Sequence, residues 1–483
     1  MANLEIEQRI QVNDISNSSV KRIAVIGGGI SGLAAAHRVH ELAPDCQIQL
    51  YEASARLGGV LHTSQQGNFL VEHSADNFIT NVPWGVDLCK RVGLEHELLQ
   101  TNEKLRKAFV VCRGKLEEVP EGFLLMAPSK IGPILKTRIL SWRGKARLAW
   151  EYFVPQRKST EDESLQSFVV RRLGKEAYER LVQPLIGGIY TADPEKLSIA
   201  ATLRQFVEME REHGGLIRGM RKKEQDKNQS GARYSMFVAP KGGMGALVEE
   251  IANRLPNDCV QLNTGVESVT QLESGPWEVK LSTGSTEQFD AVIVATPAPV
   301  ATKIIQSWNE ELSDRLAKIP YAGCSIAVLG VKKSQIASPV AGFGFVVPEV
   351  ENRQILAASF SSHKFPGRSL DDEVLIRVFV GGACHPELGD LSDEEIISIA
   401  QAELGSLIGL TGEPIFSKVT RWTQHMPQYH VGHLDNVQAI EDLAAEHPGF
   451  ELAGNAYRGV GVPQCILSGE QAAERATQAL EQK

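Results

Sequence analysis

Apolar and polar positions alternate in a way that first becomes regular at Lys21-Arg22-Ile23-Ala24-Val25-Ile26, a short run that ends in glycines. Such a run reads as a buried parallel strand. Ile30 to Leu42 then carries apolar residues at helical spacing, and Ile48 to Glu52 predicts a second strand, so the three make one βαβ unit. A helix-rich stretch follows from about Val86 to Gly219, with candidate helices at Ser164–Leu173 and Lys175–Leu185. Arg221 to Arg233 (RKKEQDKNQSGAR) is charged and reads as an exposed loop. Strands return at Val260–Leu262, Trp277–Leu281 and Ala291–Ala295. Between Cys324 and Gly381, the runs 325–331, 342–348, 355–361 and 373–380 predict an antiparallel sheet separate from the first. Glu394–Ile408 predicts a helix with Ser392 as N-cap, and Ser468–Leu480 predicts the last helix.

Two segments are ambiguous on pattern alone. Residues 1–20 are polar and mixed in charge, and read as a mobile leader or a short regular element. Gly122 to Pro128 and Ile131 to Leu140 are apolar with Lys130, Lys136 and Arg138 beside them. They read equally as a lipid-facing patch or channel mouth and as a loop and helix packed inside.

Composition narrows the class. A chain of 483 residues is long enough for two or three domains. A net charge of -9 disfavours nucleic acid as a partner. Seven scattered cysteines without a C-x-x-C pair point away from zinc, iron–sulfur clusters and disulfides, and towards a reducing compartment. With no signal peptide or membrane-spanning run, the expectation is a cytoplasmic protein, with peripheral attachment to the inner face of a membrane left open.

The chemistry enters at Gly27-Gly28-Gly29-Ile30-Ser31-Gly32, which holds G-x-G-x-x-G at Gly27, Gly29 and Gly32 between strand and helix. Gly27 allows the tight turn, Gly29 lets a pyrophosphate approach the backbone, and Gly32 lets helix and strand pack closely. Glu52, about twenty residues on at the end of the second strand, suits the hydroxyls of a ribose. This is a Rossmann-type dinucleotide unit, and it serves NAD and FAD alike.

The following string, Glu52-Ala53-Ser54-Ala55-Arg56-Leu57-Gly58-Gly59, resembles the FAD signature of the flavin amine oxidase and porphyrinogen oxidase superfamily. Further strings resemble the porphyrinogen oxidases of haem biosynthesis. They include Leu181 to Tyr190, Glu212 to Gly219, Lys241-Gly242-Gly243-Met244, Arg421-Trp422, Met426 to His433 and Gly459 to Ile466. The resemblance implies an α/β (α+β multidomain) fold: a Rossmann-type FAD-binding domain, a β-sheet substrate domain and an α-helical domain. The expected boundaries are 21–90 plus 234–305 plus 420–483 for the discontinuous FAD domain. The helical domain, on the substrate or membrane side, takes 91–233, and the β-rich substrate domain takes 306–419.

By the same resemblance, FAD contacts fall to Gly27, Gly28, Gly29, Ile30, Ser31, Gly32, Glu52, Ala53, Arg56, Gly58, Gly59, Val266, Trp422, Val460, Gly461 and Val462. Ser74-Ala75-Asp76-Asn77 aligns with a family flavin loop usually written Gly-Pro-Asp-Ser, and departs from it. The implied reaction oxidises a porphyrinogen to a porphyrin, six electrons in three flavin cycles, with oxygen as acceptor and hydrogen peroxide formed. Protoporphyrinogen IX and coproporphyrinogen III are both open as substrate. No catalytic side chain and no metal is expected, because the flavin does the redox step and the protein positions the macrocycle. Arg204, Arg218 and Lys364 are candidates for its propionates. Haem-pathway enzymes and a homodimer are open as partners. An amine oxidase or carotenoid desaturase of the same fold, and a non-catalytic escort protein, are the competing readings.

Overall fold

The computed structural model describes residues 20–128, 130–227, 236–273 and 275–481; the leader expected over 1–20 lies, apart from Val20, outside the described residues.

Five strands make an all-parallel sheet in the order Val260–Gln261, Gln47–Tyr51, Arg22–Ile26, Ala291–Val294, Phe450–Leu452. The register is continuous: Val25 lies between Leu50 and Ile293. A parallel sheet needs cover on both faces, which explains why its central stretches, Ile23–Ile26 and Ala291–Val294, are apolar throughout. One face packs on the opening helix Ile30–Leu42, the helix Met244–Ala252 and the closing helix Val462–Glu481. The other packs on a three-stranded meander (Val266–Gln271, Trp277–Leu281, Thr286–Phe289) and on helices around Ile304, Leu312 and Ile440.

A second sheet of seven strands runs Phe416–Arg421, Cys324–Lys332, Glu373–Gly381, Ile355–Phe360, Gly344–Val346, Ala108–Cys112, Lys115–Glu118. All neighbours are antiparallel except Gly344–Val346 against Ala108–Cys112. The helix Asp393–Ile408 covers one face through Ile396, Ala400, Leu404 and Ile408. It starts at a capping box: Ser392 Oγ accepts from Glu395 N, and the Glu395 carboxylate accepts from Ser392 N.

A helical region between Ile131 and Lys227 has its own core around Phe168, Leu181, Ile186 and Phe206. It contains a fully buried ion pair, Arg172 with Glu151. Glu151 also accepts from the backbone N–H groups of Leu216 and Ile217, so its charge is satisfied at a helix start.

Four expectations change. The strands Ala108–Cys112 and Lys115–Glu118, placed with the helices by their position in the chain, join the edge of the seven-stranded sheet. The charged stretch expected as a loop over 221–233 continues a helix from Arg221 as far as Lys227, since charged residues are compatible with helix, and 228–233 lie outside the described residues. The closing helix begins at Val462 rather than Ser468, and Pro463 sits in its first turn, where no N–H is needed. Phe123, Met126 and Ala127 are interior, so the apolar segment 122–128 is core and not a lipid-facing patch.

The tightest helix contact joins the opening and closing helices. A Cβ built on Gly469 would lie 2.1 Å from the Ser31 carbonyl oxygen and 3.2 Å from Ala35 N. Both obstacles are backbone, so they cannot swing aside. Gly469→Ala is expected to force the helices apart and cost about 1–3 kcal/mol. Thermal melting should show a clear drop for Gly469→Ala and none for the exposed Gln471→Ala; equal melting points would refute the contact.

Candidate functional site

The strand Arg22–Ile26 ends at Gly27, whose N–H donates to the Tyr51 carbonyl (2.8 Å). Gly27 adopts φ +106°, and a Cβ there would stand 2.8 Å from the Ala295 carbonyl oxygen. Gly32 approaches the same turn from the helix, with its Cβ position 1.9 Å from the Gly27 oxygen. Only glycine fits either place. Gly29 is different. It is the N-cap of the opening helix, no side chain caps that helix, its first turn holds no acid, and a Cβ on Gly29 would meet nothing within 4 Å. Unsatisfied N–H groups and the positive dipole end therefore face an open cradle.

The acidic and basic residues of the motif frame this cradle. Glu52 Oε2 accepts from Gly28 N (2.7 Å), and Oε1 accepts from Ser54 N (2.8 Å) and Oγ (2.7 Å). Both oxygens are thus fixed while the side chain stays half-exposed. Gly58 N donates to the Gly28 carbonyl (2.8 Å), which clasps the second glycine string to the first. Arg56 donates to the carbonyls of Gly59 (2.6 Å), Leu57 (3.2 Å) and Leu61 (3.4 Å). These partners are neutral, so the guanidinium keeps its charge for an anion. Val266 stands at the Glu52 end of the sheet: Thr264 N donates to the Glu52 carbonyl (2.9 Å), and Gly265 lies beside Ala53.

The later residues gather at two neighbouring places. Trp422 Nε1 donates to the His73 carbonyl (2.6 Å), next to the Ser74–Asn77 loop. Phe78, which follows that loop, and Pro463 both border Gly85, so the loop reaches the opening of the closing helix, where Val460, Gly461 and Val462 lie. Tyr429 braces this turn: its hydroxyl donates to the Asn455 carbonyl (2.5 Å) and accepts from Gly459 N (2.9 Å).

The departure at Ser74-Ala75-Asp76-Asn77 has a structural role. Asp76 is buried and pairs with Lys364 (2.9 Å) and Arg377 (3.3 Å), while Arg377 also donates to the Ser74 carbonyl. Burial alone would raise the Asp76 carboxyl, but Lys364 and Arg377 outweigh it and hold its pKa down at about 2. Lys364 is therefore already committed and is not a free propionate partner. Arg218 donates to the Tyr152 carbonyl (3.0 Å), and Arg204 lies largely exposed beside Glu208 (2.8 Å).

The histidines that follow Trp422, and Cys465 at the opening of the closing helix, have separate surroundings. His433 meets the Tyr457 carbonyl at 2.8 Å and stacks on Tyr429. His425 packs edge-on against Trp422. Among the described residues no group of three or more His, Cys, Asp or Glu is placed to hold a metal ion. Burial pushes the Cys465 thiol up to about 12, so the helix opening does not activate it.

Comparison with known proteins decides the class. The model for "Flavin containing amine oxidoreductase" matches residues 30–477. The chain belongs to that family. Its cofactor is FAD, and the uncapped helix opening, the empty space over Gly29 and the pair Glu52 and Arg56 fit a dinucleotide. Among curated relatives, the chain is 33% identical to coproporphyrinogen III oxidase of Bacillus subtilis (strain 168), over 94% of this chain and 97% of that one. It is 28% identical to protoporphyrinogen oxidase 2 of Arabidopsis thaliana, over 96% and 95%. A crystal structure of an Exiguobacterium sp. 255-15 protein assigned as a protoporphyrinogen oxidase superposes with a TM-score of 0.85 at 30% identity, covering 96% of this chain and 99% of that one. Cyclohexylamine oxidase from Brevibacterium oxydans shares the fold (TM-score 0.70, 17% identity, 96% and 100% covered). This flavoprotein is an oxidoreductase with the α/β multidomain architecture of its family.

Several residues around the FAD cradle had no local signal. Lys364 and Arg377 are nearly 300 positions from Asp76, and Gly469 looks like any helical glycine. Tyr429 could have been singled out, since it lies in the string 426–433.

Two predictions follow from the cradle and the loop. Gly29→Val should fold normally and lose FAD, whereas Gly32→Val should fail to fold. Flavin absorbance and melting temperature separate the two, and full flavin retention by Gly29→Val would overturn the placement. The Asp76 carboxyl is lowered from an ordinary value of about 3.9, so its contribution is complete above that pH and is lost as pH falls towards 2. Asp76→Asn should remove that acid-sensitive component and destabilise the neutral protein by about 3–5 kcal/mol, leaving two buried cations unpaired. Unchanged acid unfolding in the variant would disprove it.

Proposed function

We propose that this flavoenzyme is a porphyrinogen oxidase of haem biosynthesis that converts coproporphyrinogen III to coproporphyrin III, with molecular oxygen as final acceptor and hydrogen peroxide as by-product. The observation that carries the reading is the 33% identity to a coproporphyrinogen III oxidase over nearly the whole of both chains. Plant relatives named protoporphyrinogen oxidase match at 27–28%, and the Exiguobacterium structure so assigned matches at 30%.

The surroundings of the site favour a substrate that drives its own oxidation. Bound FAD supplies a two-electron hydride acceptor. Glu52 and Arg56 are arranged to anchor the dinucleotide at one end, and Tyr429 holds the Gly459–Val462 turn at the other. None of the nearby titratable groups is poised as a base. Burial, with His62 stacked beside it, pushes His73 down to about 4, and both its ring nitrogens are engaged, with Ser64 and Thr420. Burial first, then Cys465 nearby, keeps the Tyr429 phenol protonated well above its ordinary value. Loss of hydride from a meso carbon extends conjugation around the macrocycle, so positioning and exclusion of water suffice. Pyrrole protons can leave to water.

The test is porphyrin fluorescence from the purified holoprotein with coproporphyrinogen III and with protoporphyrinogen IX, in air and under argon. Coproporphyrin should appear in air with peroxide and stall under argon. Turnover of protoporphyrinogen IX alone would reassign the substrate. Oxidation of benzylamine with no porphyrin formed would overturn the reading.

A further inference from the structure

Two imidazoles stack between the dinucleotide cradle and the seven-stranded sheet. His62 lies on His73 with 4.3 Å between ring centroids and 15° between planes. Alternation along two strands brings their surroundings together. Ser64, on the strand Thr63–Gln66, turns to His73, while Thr63 turns the other way to Glu72. Lys418, Thr420 and Trp422, spaced by two along and just past the edge strand Phe416–Arg421, all bear on the same pair.

The two rings are held differently. His73 is buried, and both its nitrogens are engaged, Nδ1 with the Thr420 hydroxyl (2.8 Å) and Nε2 with the Ser64 hydroxyl (2.8 Å). It is a fixed platform. His62 is half-buried, and its nitrogens meet no hydrogen-bonding partner among the described residues. The stack sets the plane of the His62 ring and leaves its edge free.

The chain places that ring beside the cradle. Gly59, three residues earlier, lies against Gly29, and Arg56 donates to the carbonyl of Leu61, the residue before His62 (3.4 Å). The charges that bear on His62 are all positive: Arg56 from the glycine turn and Lys418 from the edge strand, with His73 beneath it and Arg377 beyond His73. The neighbouring carboxylates are committed elsewhere. Glu52 accepts from Gly28 and Ser54, Glu72 accepts from Thr63 and from Met244 N, and Asp76 pairs with Lys364 and Arg377. Arg56, His62 and Lys418 thus converge without a counter-ion, in a chain whose net charge is -9. Such a group calls for an anion from outside the chain.

We propose that His62 is a further anchor for the FAD diphosphate and meets it as imidazolium, so that FAD binding draws one proton from water onto this ring. The inference rests on FAD as the cofactor and not on the substrate. Burial, then Arg56 and Lys418, hold the imidazole below its ordinary value. A diphosphate offsets both cations and raises it. The bound state therefore carries the extra proton, and FAD is held more tightly below the raised value and less tightly as pH climbs through it.

The test follows FAD release from the loaded full chain, by the fluorescence of the freed flavin, at about pH 6 and about pH 8, on either side of an ordinary histidine. The wild type should hold FAD about tenfold more weakly at the higher pH. His62→Gln, which keeps a hydrogen-bonding side chain but cannot titrate, should hold FAD weakly at both, with little difference between them. His62→Arg, which is charged throughout, should hold it tightly at both. Equal retention by the wild type at the two pH values, or a wild-type pH response in His62→Gln, would overturn the anchor while leaving the cofactor in place. A wild-type chain that takes up no FAD at either pH would overturn the cofactor assignment and this inference with it.

Discussion

Close approach of backbone to backbone at the opening of the first helix is the constraint that organises this protein. Gly27 touches the Ala295 carbonyl, Gly32 touches Gly27, Gly59 lies against Gly29, and Gly469 lies against Ser31. Each contact is possible because a side chain is missing. Together they fix the helix opening between a strand, a second glycine string and the closing helix, while the space over Gly29 stays open and no side chain caps the helix. Such an uncapped helix opening suits an anion, whose charge would complete what the protein leaves unsatisfied.

Electrostatics does for the second sheet what glycine does for the first. Asp76 sits where the loop after the early hairpin crosses the seven-stranded sheet, and its two cations come from that sheet and from the short helix beside it. The Trp422 indole adds a neutral tie to the same loop. These groups tie the Ser74–Asn77 loop to the seven-stranded sheet, and they do so through paired charges and hydrogen bonds rather than with apolar area alone.

What could be read from the sequence was local. The strand, turn and helix from Arg22 to Leu42, the role of Ser392 as a cap, and the long strands after Cys324 all follow from residues within one turn or one strand of each other. The placing of Ala108–Cys112 in the sheet could not, since its partner strand is more than two hundred positions away. The same holds for Asp76 with Lys364 and for Gly469 with Ser31. The segment after Arg221 misled for another reason: charge argues for exposure, and exposure does not exclude a helix.

The parallel sheet draws its strands from positions 22, 47, 260, 291 and 450 onward, and its closing helix ends at Glu481. A ribosome making this chain therefore cannot complete the five-stranded sheet before Leu452 has emerged. Until Ala291–Val294 follows, Arg22–Ile26 has only Gln47–Tyr51 as a neighbour, and a nascent chain must hold apolar edges that cannot yet pair. High sequence separation between neighbours also makes the final assembly slow. The sheet and the closing helix that packs on the opening helix are complete only after Glu481 has emerged, so this fold cannot close while synthesis stands short of that helix.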